Sequence, residues 1–167
     1  VALLDADEDG NLDVYLVQSH GLGASAAPAE GQTPLPGSLG GRLYRNDLVV
    51  GGAGARDLRF TDVTEESKIE ARGFGLGVAA ADIDNDGWVD LYLTNFGPSQ
   101  MWRNNGNGTF SDATNASGTV NQPGFGVSAS FVDIDRDGWL DLYVGNNVIY
   151  GLEHETVCPN PAGARDY

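Results

Sequence analysis

A nine-residue pattern, Asp-x-Asp-x-Asp-Gly-x-x-Asp, occurs three times in this chain, and each copy runs into a segment of β-like apolar alternation. The copies are Asp5, Asp7, Asp9, Gly10 and Asp13; Asp82, Asp84, Asp86, Gly87 and Asp90; and Asp133, Asp135, Asp137, Gly138 and Asp141. Carboxylates at alternating positions of a tight loop offer the oxygen-only ligands that suit Ca²⁺, and glycine lets the backbone turn sharply beneath the ion. Without a cation such a loop repels itself. Two like charges about 5 Å apart repel by about 1 to 3 kcal/mol at effective dielectrics of about 80 to 20, and four carboxylates multiply the pairs. Each loop is therefore expected to hold one Ca²⁺, giving three sites. An EF-hand also begins Asp-x-Asp-x-Asp-Gly, but it needs a bidentate Glu at position 12 between two helices. Position 12 is Leu16, Leu93 or Val144, and the flanks alternate as strands do.

The loops explain the charge. Their repeated Asp positions account for 12 of the 24 acidic side chains, so the formal net charge of −15 falls to −3 without those 12. Nine Lys and Arg spread thinly form no basic stripe, which argues against nucleic acid as a partner. No run of about 18 apolar residues is present, so no helical membrane span is expected in this segment. A hydrophobic content of 41% with 24 glycines favours one turn-rich β domain over helix or disorder. The sequence begins inside an expected strand at Val1 and stops at Tyr167 without a terminating pattern, so an internal piece of a longer protein is expected.

The second and third loops start 51 residues apart, and aligning them brings their flanks into register. Gly73-Phe74-Gly75 falls on Gly124-Phe125-Gly126, and Trp88-Val89-Asp90-Leu91-Tyr92-Leu93 on Trp139-Leu140-Asp141-Leu142-Tyr143-Val144. Leu43-Tyr44-Arg45-Asn46 and Phe60-Thr61-Asp62-Val63-Thr64 recur as Met101-Trp102-Arg103-Asn104 and Phe110-Ser111-Asp112-Ala113-Thr114. In the best-preserved unit, strands are expected near Phe74 to Ala81, Val89 to Asn95, Gln100 to Asn104 and Thr109 to Ala113, with a hairpin turn at Asn105-Gly106-Asn107-Gly108. The first and second loops start 77 residues apart. The excess is assigned to a Gly/Pro-rich insertion at 19–41, with a smaller bulge at Gly51 to Ala55. The organisation expected is an incomplete repeat over 1–71, a complete repeat over 72–121, and a truncated repeat plus tail over 122–167.

Four-stranded units of about 50 residues stacked side by side suggest an all-β chain, a fragment of a β-propeller whose blades carry the acidic loops. The threefold loop with Phe-Gly upstream resembles the FG-GAP and VCBS repeats of integrin-α-like propellers. Leu43-Tyr44-Arg45-Asn46, Phe60-Thr61-Asp62-Val63-Thr64 and the tail from Cys158-Pro159 to Arg165-Asp166-Tyr167 resemble the ASPIC/UnbV, or cartilage-acidic-protein-like, branch. The resemblance implies that the Ca²⁺ ligands are the side chains at positions 1, 3, 5 and 9 of each loop. It adds the backbone carbonyl at position 7, which belongs to Asn11, Trp88 or Trp139. It also implies a cysteine partner for Cys158 beyond Tyr167, and further propeller blades on the same longer chain.

The remaining features have plainer readings. The rings of Trp88 and Trp139 are expected to cover a neighbouring turn rather than stack on a sugar, and Phe74 and Phe125 are expected in the core. The sequons at Asn107 and Asn115 fall where Asn suits turn geometry. His154-Glu155-Thr156-Val157-Cys158 lacks the second His of a zinc-protease helix, and Pro159 follows at once. Gly21 to Ala26 nominally matches a dinucleotide turn, but Pro28 and Gly31 prevent the helix such a turn opens. No nucleophile, base and orienting group can be assembled, so no catalytic residue is assigned. The function expected is a non-enzymatic, calcium-stabilised extracellular module that presents loops to a protein or glycan in adhesion. Extracellular calcium modules bind with dissociation constants of roughly 10⁻⁴ to 10⁻³ M, so weak loops would fill outside the cell. The alternatives are the propeller scaffold of a polysaccharide lyase or hydrolase, and a carbohydrate-binding module using Trp88 and Trp139.

Overall fold

The computed structural model describes residues 1–19, 40–54, 56–120 and 124–147. Most of the Gly/Pro-rich insertion, the tail with His154 and Cys158, and the Gly21 to Ala26 segment lie outside the described residues. Among the described residues, twelve strands and one short α-helix follow in chain order, with a single 3-10 turn at Gly52–Gly54. They are β1 (Ala2–Leu4), β2 (Asp13–Leu16), β3 (Arg42–Asn46), β4 (Val49–Val50), β5 (Arg56–Asp57), β6 (Phe60–Asp62), α1 (Thr64–Ser67), β7 (Phe74–Ala81), β8 (Asp90–Phe96), β9 (Gln100–Asn104), β10 (Phe110–Asp112), β11 (Gly126–Val132) and β12 (Asp141–Asn146).

The strands form antiparallel meanders. One four-stranded sheet runs β1-β2-β3-β6, a second runs β7-β8-β9-β10, and β11 pairs with β12. Each acidic loop joins the first two strands of its sheet: β1 to β2, β7 to β8, and β11 to β12. This is the all-β, blade-by-blade architecture of a propeller. The small hairpin β4-β5 stands outside the two large sheets, where a bulge was expected. Helix α1 was not legible beforehand. It starts at the Thr64 that follows the Phe-Thr-Asp strand and ends at Lys68, which takes a left-handed conformation (φ 61°).

The core lies between the first two sheets. Leu4, Ala6, Tyr15, Leu43 and Ile69 from the first unit pack with Leu91, Leu93, Trp102 and Phe110 from the second. Burying one such leucine contributes roughly 1.5 to 3 kcal/mol. Strand β8 is enclosed on both faces: the run from Asp90 to Asn95 is buried throughout. Its first-unit side faces the core, while β11 lies against β7 and β8 on the other.

The sheets are stitched by a repeated step. Ser19, just past β2, bridges antiparallel to Phe74, and Phe96, at the end of β8, bridges to Phe125. Phe74 and Phe125 are consequently half-buried at these seams and do not belong to the core cluster, contrary to the sequence expectation. The Phe125 ring meets Phe96 edge-on, with centroids 5.3 Å apart. Gly77 is needed at the second seam, because a Cβ there would lie 2.8 Å from both the Val127 carbonyl oxygen and Thr94 Oγ1.

Candidate metal centres

The three acidic loops adopt one local structure. The position-1 carboxylate accepts two backbone N–H groups across the turn: Asp5 from Asp9 and Gly10 (3.1 and 3.0 Å), Asp82 from Asp86 and Gly87 (3.1 and 2.8 Å), and Asp133 from Asp137 and Gly138 (3.1 and 3.0 Å). The position-5 carboxylate accepts the N–H two residues on: Asp9 from Asn11, Asp86 from Trp88, Asp137 from Trp139, at 2.7, 2.9 and 2.8 Å. The glycines have φ of 87°, 94° and 92°. A second left-handed residue precedes each of them by two positions: Glu8, Asn85 and Arg136, with φ of 55°, 56° and 64°. Together these fold six residues around one point.

Position 9 anchors the loop to the sheet. Asp13 accepts N–H bonds from Ala6 (2.9 Å) and Asn46 (2.8 Å), Asp90 from Ile83 (3.1 Å) and Asn104 (2.7 Å), and Asp141 from Ile134 (3.0 Å). Burial pushes the Asp13 carboxyl up and the Asp90 carboxyl up to about 6, with Asp84 and Asp86 adding repulsion at Asp90; the backbone hydrogen bonds oppose both shifts. An ionised Asp90 is thus costly unless a cation lies close by.

The structure brings oxygen atoms of three carboxylates within 4.8 Å of one another in every loop: Asp5, Asp7 and Asp13; Asp82, Asp84 and Asp86; Asp133, Asp135 and Asp141. Asp9 and Asp137 stand outside their groups, as Asp90 does in the second loop. Of the position-7 residues, Asn11 and Trp88 are half-buried, while Trp139 is 55% exposed. Trp88 lies over the Asn105 to Gly108 turn, since a Cβ on Gly106 would come 2.8 Å from its indole nitrogen. The expectation of a ring covering a turn therefore describes Trp88, whereas Trp139 is the more exposed of the two rings.

The donor set fits a hard cation. Asp7 Oδ1 and Asp84 Oδ1 are buried without a hydrogen-bond partner among the described residues. An unpartnered buried carboxylate oxygen is expensive, and an ion at the focus of the loop would satisfy it. In the second loop a protein cation already approaches: Arg103 Nη2 is 2.5 Å from Asp84 Oδ2 and 3.0 Å from Asp86 Oδ2. The Asp86 carboxyl is held low, first by the Trp88 N–H and further by Arg103. The matching Arg45 turns to Asp47 instead, at 2.7 Å. The sequence reading assigned Asn46, Arg103 and Asn104 no part in the loops they reach, although the recurrence of a basic-amide pair beside an acidic loop was the available signal.

Residues 82–144, which contain the second and third loops, match the FG-GAP-like repeat model. Cartilage acidic protein 1 of Mus musculus is 31% identical over 90 residues, 53% of this chain and 14% of that protein, and the Homo sapiens protein matches to the same extent. The Xenopus tropicalis protein is 33% identical over 73 residues, covering 43% of this chain and 11% of its own length. The chain thus spans about one seventh of the curated relatives it matches. Residues 82–144 thus carry an FG-GAP-like repeat, and the chain is similar over about half of its length to cartilage acidic protein 1.

Proposed function

We propose that this chain is a calcium-stabilised, non-catalytic propeller module in which Asp5, Asp7, Asp9, Asn11 and Asp13, Asp82, Asp84, Asp86, Trp88 and Asp90, and Asp133, Asp135, Asp137, Trp139 and Asp141 each enclose one Ca²⁺. The observation that carries the reading is the shared turn of three loops, each bringing three carboxylates together, with the buried Asp7 Oδ1 and Asp84 Oδ1 unpartnered among the described residues. Calcium here is structural: it binds the folded loop and stabilises it by mass action. The reading places the module outside the cell, where calcium modules with dissociation constants of roughly 10⁻⁴ to 10⁻³ M are filled. Among the described residues no helix is long and apolar enough to cross a membrane. The module presents its loops to a protein partner in adhesion. Calorimetry on the full chain tests the reading: three calcium ions per chain are expected at millimolar calcium, with one lost in Asp135→Ala, and no saturable binding would refute it.

Carbohydrate binding is a second reading, favoured by the exposed Trp139 ring beside the third loop. A glycan array resolves it: binding abolished by Trp139→Ala would establish the glycan role, and turnover of a bound polysaccharide would instead identify a lyase or hydrolase.

A further inference from the structure

Asn104 joins two of the acidic loops. It is 1% exposed. Its backbone N–H donates to Asp90 Oδ1 at 2.7 Å, and its side-chain amide donates to the Val89 carbonyl at 3.3 Å, both in the second loop. The same amide nitrogen donates to the Ala6 carbonyl, 2.9 Å away in the first loop. Its Oδ1 accepts the Gly106 N–H at 3.0 Å, which fixes the amide orientation. Ala6 lies between the candidate ligands Asp5 and Asp7, is 4% exposed, and is also held by its N–H, which Asp13 Oδ2 accepts at 2.9 Å. Ala6, the second residue of the first loop, is therefore gripped through its N–H by the loop's own anchor and through its carbonyl by the second unit. Asn46, the matching residue of the first unit, makes the same bonds within its own loop, to Asp13 and to the Leu12 carbonyl.

We propose that Asn104 is a positioning residue through which the first and second loops bind calcium cooperatively. The inference rests on the calcium reading above. An ion drawing in Asp5 and Asp7 fixes the peptide between them, and the Ala6 carbonyl then holds the Asn104 amide, whose backbone N–H orients Asp90. Ordering either loop lowers the conformational cost of ordering the other, which is positive coupling without a large structural change. By linkage the effect is reciprocal. Among the described residues the second and third loops share an exposed bond, from Asn85 Nδ2 to the Gly138 carbonyl at 3.2 Å, and they couple more weakly.

The test measures calcium affinity at the second loop by calorimetry on the full chain, with the third loop silenced by Asp133→Asn. Silencing the first loop with Asp7→Asn should weaken the second by about fivefold or more, the lower end of typical coupling between sites. In an Asn104→Ala background the same change should have less than about a twofold effect. Hydrogen exchange gives a readout that leaves Asn104 intact: in Asp7→Asn, filling the second loop should slow exchange at the Ala6 amide. Equal second-loop affinity with the first loop intact or silenced, or unchanged Ala6 exchange, overturns the proposal while leaving calcium binding in place. Absence of calcium binding at both loops would instead overturn the reading on which it rests.

Discussion

Arg103 places a guanidinium against Asp84 and Asp86, where a bound cation would compete with it. Its side chain is half exposed, so solvent screens the pair and the net contribution is at most about 1 kcal/mol. Arg103→Gln is accordingly expected to tighten calcium binding at the second loop by no more than about fivefold, with little effect at the first, where Arg45 is engaged by Asp47; titration at low ionic strength checks this. Gly87 at φ 94° makes a different demand. Gly87→Ala should destabilise the loop by about 1 to 2 kcal/mol through backbone strain, read as a lower Tm. The carboxylates and glycines of these loops were legible because each residue type is dictated by its local job. The left-handed Glu8, Asn85 and Arg136 were not, since three dissimilar side chains share that conformation and only the turn imposes it.

Strands β8 and β12 carry nearly the same sequence, Asp-Leu-Tyr-Leu-Thr-Asn against Asp-Leu-Tyr-Val-Gly-Asn, yet β8 is buried along its length and β12 alternates between exposed and half-buried. Pattern sets the strand, and neighbours set its burial. Leu91→Ala should cost about 2 to 5 kcal/mol by leaving a cavity, and Leu142→Ala markedly less; denaturant midpoints would compare them. Strands β7 and β9 occupy the spans expected from sequence, whereas β8 is shifted by one residue to Asp90–Phe96 and β10 contracts to Phe110–Asp112. In the last case the ladder is interrupted at both ends, where the Thr109 N–H goes to the Asn107 side chain and the Met101 N–H goes to Thr114 Oγ1. Phe74 and Phe125 misled because an aromatic between glycines reads as core, while pairing across sheets holds both at a seam.

Across the molecule, protection should follow enclosure. Native-state hydrogen exchange is expected to be slowest in β8, which has packed structure on both faces, and faster in β12; uniform protection would contradict that gradient. Removing calcium with EDTA should lower Tm, and an unchanged melting curve would argue that the ions are not structural. The bridges Ser19 to Phe74 and Phe96 to Phe125 have a further consequence. The middle sheet carries both halves of the joint, an entry that meets the sheet before it and an exit that meets the sheet after it. Duplicating such a segment in a gene would create a new neighbour already matched on both sides, so a chain of this kind can lengthen by copying without evolving a new interface.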